Sequence, residues 1–243
     1  MGVDERGQAE RTAGSGSEDA ARTQAEAPSE RTRVQRSAPR ARYDRETVTA
    51  ILDEGLFAHV GFAVDGRPFV LPMVYGRQGG VLYLHGSPAS RLLRTLRGGV
   101  ELSLAVTHLD GVVLARSAFH TSVNYRSVVL FGRAREVTDA AEKLAALRAV
   151  VEHAAPGRWD RVRGPDGAEF HRTLVLEVPI DEASAKVRTG PPVDDEADMG
   201  SDAWAGVVPL QTVRGEPVAD PALRAGVELT PEVDLRRWPL RTG

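Results

Sequence analysis

The chain has 243 residues, 42% of them hydrophobic, no cysteine and a formal net charge of −3, a length that suits one sizeable core or two small ones. Missing thiols exclude disulfides, thiolate metal centres, iron–sulfur clusters and cysteine nucleophiles. A near-neutral balance of 31 Lys and Arg against 34 Asp and Glu leaves no electrostatic footprint for nucleic acid.

From Met1 to Arg42 there is no aromatic residue, and Val3 and Val34 are the only β-branched aliphatics. Burial cannot offset the ordering entropy of such a segment, so it reads as a disordered N-terminal tail. It lacks the apolar core of a secretory signal, and its acidic residues argue against a transit peptide. No run approaches the roughly 18 apolar residues of a membrane span. These features predict a cytoplasmic protein with neither a membrane nor a nucleic-acid partner.

Ordered elements are expected beyond the tail. Asp65-Gly66 is a two-residue turn signal between apolar segments that run from Leu56 and on to Tyr75, which predicts a hairpin. Val81 to His85 reads as the next strand and ends in Gly86-Ser87-Pro88-Ala89-Ser90, before helical spacing from Arg91 to Arg97. The hydroxyls of Ser87 and Ser90, the Arg91 guanidinium and the first N–H groups of that helix make a plausible phosphate seat. Ordinary helix capping is the competing reading of the same residues.

Val100 to Val106 alternates at period two, and His108-Leu109-Asp110-Gly111 reads as a turn into a strand from Val112 to His120. Asn124 to Val137 reads as a long strand with a bend or bulge at Gly132. Thr138-Asp139 opens an amphipathic helix through Leu144, Leu147, Val150 and Val151 that ends near Pro156-Gly157. A strand from Thr173 to Ile180 is expected to complete the core. Many strands joined by tight turns favour an antiparallel barrel over a doubly wound sheet.

Four segments, Val81 to Ser87, Asp110 to His120, Asn124 to Gly132 and Lys186 to Pro192, followed by Trp204 to Leu210, resemble the pyridoxamine 5′-phosphate oxidase-related flavin-nucleotide-binding family. The resemblance runs from about Tyr43 to Leu210. It implies a mainly β fold with inserted helices, a split β-barrel of the FMN-binding type, with FMN held at the interface of a homodimer. It divides the chain into the tail at 1–42, a split-barrel domain at 43–210 and a partly irregular C-terminal extension at 211–243.

The same resemblance assigns Ser87, Ser90 and Arg91 to the FMN phosphate, and Pro72, Met73, Val74 and Tyr75 to the isoalloxazine. It brings Asn124, Tyr125, Arg126 and Ser127 in from the barrel or from the second subunit, with Lys186 in a loop able to close over the cofactor. His85, next to the phosphate loop, is the candidate catalytic residue. No histidine spacing suggests a metal site. The C-terminal R-x-H element of the vitamin B6 oxidases is absent, since the tail reads Asp234-Leu235-Arg236-Arg237-Trp238. The expected activity is therefore a flavin-dependent oxidoreductase acting on a small organic molecule. Alternatives are a non-catalytic flavin-binding or sensing module, and a split barrel that uses deazaflavin or haem.

Overall fold

The computed structural model describes residues 26–230. Its sheet is built from β1 (Ala41–Arg42), β2 (Phe57–Val64), β3 (Arg67–Gln78), β4 (Val81–Gly86), β5 (Glu101–Leu114), β6 (Ser122–Arg133), β7 (Arg135–Glu136), β8 (Leu174–Pro179), β9 (Glu182–Arg188) and β10 (Gly206–Pro209). Four helices accompany it, α1 (Arg45–Glu54), α2 (Arg91–Arg97), α3 (Ala140–Ala154) and α4 (Gly167–His171). The strand order is β1-β9-β6-β5-β2-β3-β4-β8-β7, with β10 beside β5, and the paired strands run antiparallel. This is a split barrel, mainly β with inserted helices.

The sheet curls round one core. Val60, Leu84, Leu104, Leu130 and Leu176 from the strands meet Ile51 and Leu52 of α1 and Leu92, Leu93 and Leu96 of α2. Both helices start on side-chain caps: Asp44 accepts from the Thr47 N–H at 2.8 Å, and Ser90 accepts from the Leu93 N–H at 3.5 Å. The third helix, capped by Asp139 through the Glu142 N–H at 2.8 Å, builds a smaller cluster outside the barrel, where Ala146 and Val150 pack on Tyr83 and Val175. At Gly76 that packing is so close that a Cβ would come within 2.5 Å of the Val150 nitrogen.

The hairpin at Asp65-Gly66 forms as its sequence requires, with φ of 50° and 74°. Four expectations need correction. His108 to Gly111 is no turn: β5 runs straight through it, and the Asp110-Gly111 signal is spent on a register shift between Leu109 and Gly111. The strand expected from Val112 to His120 is the end of β5, which stops at Leu114. Gly132 pairs in register with Leu102; the chain instead leaves β6 after Arg133 and resumes as β7 against β8.

The fourth correction concerns β9 and β10, which lie beyond the strand expected to complete the core. β9 is hard to read in sequence because its buried residues are the small Ala183, Ser184 and Ala185 and, at its end, the charged Arg188.

The expected tail also differs over its described part. Glu30–Thr32 is a 3-10 turn with Thr32 buried. Arg31 stands 5.0 Å above the Phe131 ring and pairs with Glu101 and Glu182, and β1 adds to β9. Long-range ion pairs and an edge-strand pairing hold this segment, neither of which its composition reveals. Its residues 1–25 lie outside the described residues. Of the C-terminal extension, 211–230 carries no helix or strand, and 231–243, with the Asp234 to Trp238 stretch, lies outside the described residues. Among the described residues no helix is long and apolar enough to cross a membrane.

Candidate cofactor site

Strand periodicity divides β2 and β3 into two faces. Ala58, Val60 and Phe62 stand opposite Met73, Leu71 and Phe69 and face the core, where the Phe62 and Phe69 rings stack at 5.4 Å. On the other face Phe57, His59 and Gly61 stand opposite Val74, Pro72 and Val70. Phe57, Val70 and Val74 are 53%, 63% and 46% exposed. The face continues across Ala105 and Ser103 of β5 to Val129 and Phe131 of β6. A contiguous apolar sheet face of this kind marks a ligand or partner surface.

The period also splits the quartet expected to line a flavin. Pro72 and Val74 lie on this outer face. Met73 packs against the core, and Tyr75 is fully buried, its hydroxyl donating to the Leu52 carbonyl at 2.5 Å and its ring 4.7 Å from His153. Burial pushes the Tyr75 phenol well above its ordinary range.

Past the pairing of Tyr75 with Leu84 the chain leaves β4 for a loop that leads into α2. A turn closes it, the Ser90 N–H donating to the Ser87 carbonyl at 2.9 Å. Ser87 Oγ accepts from the Ala89 N–H at 3.2 Å, so both serine hydroxyl hydrogens remain to donate. Arg91 is exposed, stands 5.5 Å over the Phe69 ring and makes no ion pair among the described residues. With α2 only seven residues long and its N-cap taken by Ser90, the hydroxyls and the guanidinium are the donors on offer to an anion.

At the end of β4, His85 carries a buried Nδ1 without a partner. Burial alone holds its pKa below the ordinary histidine value. A donor N–H would lose most there, so the neutral ring keeps its proton on Nε2.

The remaining expected site residues lie elsewhere. Along the sheet β6 is four strands from β4. Arg126 is clamped: Nε and Nη2 donate to Asp110 at 2.9 and 2.8 Å, and Nη2 also donates to Glu54 at 2.8 Å with Nη1 on the same carboxylate. That clamp holds the Glu54 carboxyl below its usual range. Asn124 is buried, donating to the Gly190 carbonyl at 3.1 Å and accepting from Arg188. Ser127 donates to the Lys186 carbonyl at 3.4 Å. Tyr125 pairs with Leu109 and Arg188, and Lys186 with Ser127 and Ala41. A single chain thus sets Pro72 and Val74 on β3 and His85, Ser87, Ser90 and Arg91 at the end of β4 and the start of α2, and leaves Asn124 to Ser127 and Lys186 on the distant pair β6 and β9, where Tyr125, Ser127 and Lys186 share the face of Val129 and Phe131 and Asn124 and Arg126 point to the other side.

Sequence reasoning missed Phe57, His59 and Val70. Their signal was present, since Phe57, His59 and Gly61 alternate with the buried Ala58, Val60 and Phe62.

A split barrel with an anion-ready loop beside a bare apolar sheet face has the form of a nucleotide-cofactor protein. The pyridoxamine 5′-phosphate oxidase family model matches residues 44–187, and the chain belongs to that family. It is similar to the flavocytochrome Anf3 from Azotobacter vinelandii, with 45% identity, TM-score 0.82 and coverage of 86% of this chain and 97% of that one. The FAD- and haem-binding protein from Mycobacterium smegmatis is 39% identical, with TM-score 0.77 and coverage of 80% and 95%. A 5-nitroimidazole antibiotic resistance protein from Bacteroides thetaiotaomicron, 22% identical with TM-score 0.52 over 60% of this chain and 86% of that one, shares the fold. A search of curated proteins finds no significant match.

Proposed function

We propose that the chain is a flavin- and haem-binding electron-transfer protein, working as a homodimer on a small organic or inorganic electron acceptor. The observation that carries the flavin part is Arg91, exposed and without an ion pair among the described residues, which follows two donor hydroxyls on the loop after β4, one strand away from the apolar strip of Phe57, Val70 and Val74 on β2 and β3. Ser87, Ser90 and Arg91 hold the phosphate. Pro72 and Val74 pack on the ring and keep water from it, and the backbone of β3 supplies matching donors and acceptors. His85 Nε2–H donates to the ring or to the acceptor beside it.

The haem part rests on both relatives above 30% identity, one a flavocytochrome and the other an FAD- and haem-binding protein. This chain has an imidazole that suits an iron. His108, His153 and His171 bond backbone carbonyls and His120 bonds Asp195. Among the described residues His59 and His85 make no ring hydrogen bond, and because the unprotonated Nδ1 of His85 is buried, His59 is the one that can give a nitrogen to iron. When bound, the flavin supplies hydride or single-electron chemistry and the haem supplies single-electron chemistry; the protein orients both and excludes water.

FAD is favoured over the FMN expected from the resemblance, because the Mycobacterium relative is an FAD-binding protein. A two-fold pairing of outer faces would cover the apolar strip and bring Tyr125 and Lys186 of one chain towards Arg91 of the other.

The visible spectrum of the purified protein tests the pair: flavin bands together with a Soret band are expected, and their joint absence overturns the reading. Acid release and chromatography of the flavin separate FAD from FMN. For the phosphate seat, Arg91→Ala is expected to weaken FAD and FMN about ten- to a hundredfold, since a charge-assisted bond contributes roughly 1.5–3 kcal/mol, and to spare riboflavin. Equal losses for all three would place Arg91 in the fold and outside the site.

A further inference from the structure

Arg188, at the end of β9, is 7% exposed, yet among the described residues it has no carboxylate partner. Its Nη1 donates to the Asn124 amide oxygen and its Nη2 reaches the Pro191 carbonyl at 3.5 Å. A buried charge met only by amide and carbonyl dipoles is among the least favourable arrangements in a folded chain. Burial and the nearby Arg40 both act to lower its proton affinity.

The neighbouring acids are engaged elsewhere. Asp194 is held by Arg116, accepting from its N–H at 2.8 Å and from Nη1 at 2.9 Å. Glu182 is held by Arg31.

The surroundings add positive charge. Between Arg31 and Arg42 the chain has five arginines and no carboxylate, and β1 lays this arm beside β9 by pairing Ala41 with Lys186. Lys186 and Arg188 are two residues apart on one strand, opposite Ser127 and Tyr125, and so share a face. Arg42, in the same arm, donates only to the Pro39 and Ala41 carbonyls, at 2.9 and 2.7 Å.

We propose that Arg188, Arg40 and Lys186 form a second anion seat, distinct from the Ser87–Arg91 loop, that takes the paired oxyanions of a bound cofactor. This rests on the reading of the chain as a flavin- and haem-binding protein. The shared chemistry is that of a flavin dinucleotide's diphosphate or a haem's two propionates, either of which the planar guanidinium fork can engage bidentately. Arg188 supplies the fork, Arg40 and Lys186 add point charges at the rim, and Asn124 positions Arg188 through its amide oxygen.

The test uses the purified full chain and the double variant Arg40→Gln/Lys186→Gln, whose residues are half-exposed and whose loss spares the core. Inorganic pyrophosphate is expected to raise the melting temperature of the unaltered chain and to raise that of the double variant much less. If the occupant is the flavin diphosphate, the double variant binds FAD at least tenfold more weakly while FMN and haem affinity hold. If it is the propionate pair, haem affinity falls and FAD affinity holds. Pyrophosphate without effect, together with FAD and haem affinities both within twofold, overturns the seat. A chain that binds neither flavin nor haem overturns the parent reading instead, and the pyrophosphate shift still decides whether the seat exists.

Discussion

One strand, β3, has two fates. Its end at Tyr75 and Gly76 is buried, with the helix α3 lying against Gly76 and the Tyr75 hydroxyl bonded to Leu52. Its middle, from Val70 to Val74, presents the apolar side chains of Val70 and Val74 on an outer face that nothing among the described residues covers. Hydrophobicity does not separate the two halves, since apolar residues run through Val74 to Tyr75 without a break. What separates them is the reach of α3, and the uncovered half is where a cofactor or a second subunit has room to bind.

Adding a side chain where the covered half is tightest should have the largest effect. Gly76→Ala puts a Cβ within 2.5 Å of the Val150 backbone nitrogen, a clash with backbone that flexible side chains cannot relieve. Urea denaturation should show a loss of about 3 kcal/mol, the upper part of the overpacking range. An unchanged midpoint would mean that α3 does not lie this close.

The same contrast between engaged and uncommitted groups holds for two arginines. Arg126 is tied to Glu54 and Asp110, whereas Arg91 has no ion pair among the described residues. Arg126→Met should cost about 2 kcal/mol, less than a fully buried pair because both carboxylates are partly exposed, with Glu54→Gln in the same chain recovering part of it. Flavin affinity measured per folded chain should not follow. If affinity falls and stability holds, Arg126 belongs to the site.

On the bare half, Val70→Asp should leave monomer stability within about 0.5 kcal/mol, as for other surface changes. Sedimentation equilibrium should instead show loss of self-association. A variant that remains as dimeric as the parent would remove the outer face from the interface.

Proton linkage gives the smallest effect. Burial lowers the pKa of both His85 and His153 from the ordinary 6.5, so below that value the unfolded chain binds more protons than the folded one. Stability from these two groups is complete above about pH 6.5 and is lost as pH falls toward their folded values. Melting temperature should therefore decline gently on acidification through that window, ahead of carboxylate titration, and His153→Gln should flatten the decline. A profile that rises on acidification would contradict the burial of both rings.

Local signals were legible in the sequence. Asp65-Gly66 needs left-handed backbone and obtains it, Asp139 caps α3, and Ser90 with Arg91 opens α2 beside a loop rich in hydroxyls. Pairings between distant residues were not. β9 carries alanines where a buried strand usually shows valine or isoleucine, because small side chains suffice where other strands fill the barrel. Asp110-Gly111 reads as a turn and acts as a bulge, because β5 has partners on both sides: β6 along its length, and β2 and β10 in turn along the other edge. The arm before Tyr43 looks unable to fold, yet Arg31 finds Phe131, Glu101 and Glu182, all more than sixty residues away in sequence.

The sequence by itself determined the strand-rich pattern, the hairpin, the caps and the residue types of the phosphate loop, since each depends on neighbours within a few positions. Tertiary structure alone decided which side of β3 is bare, which arginines are engaged, and that Arg188 is buried without a counter-charge among the described residues. Those properties depend on what the rest of the fold brings within hydrogen-bonding distance, a long-range outcome of packing that no local stretch of residues encodes.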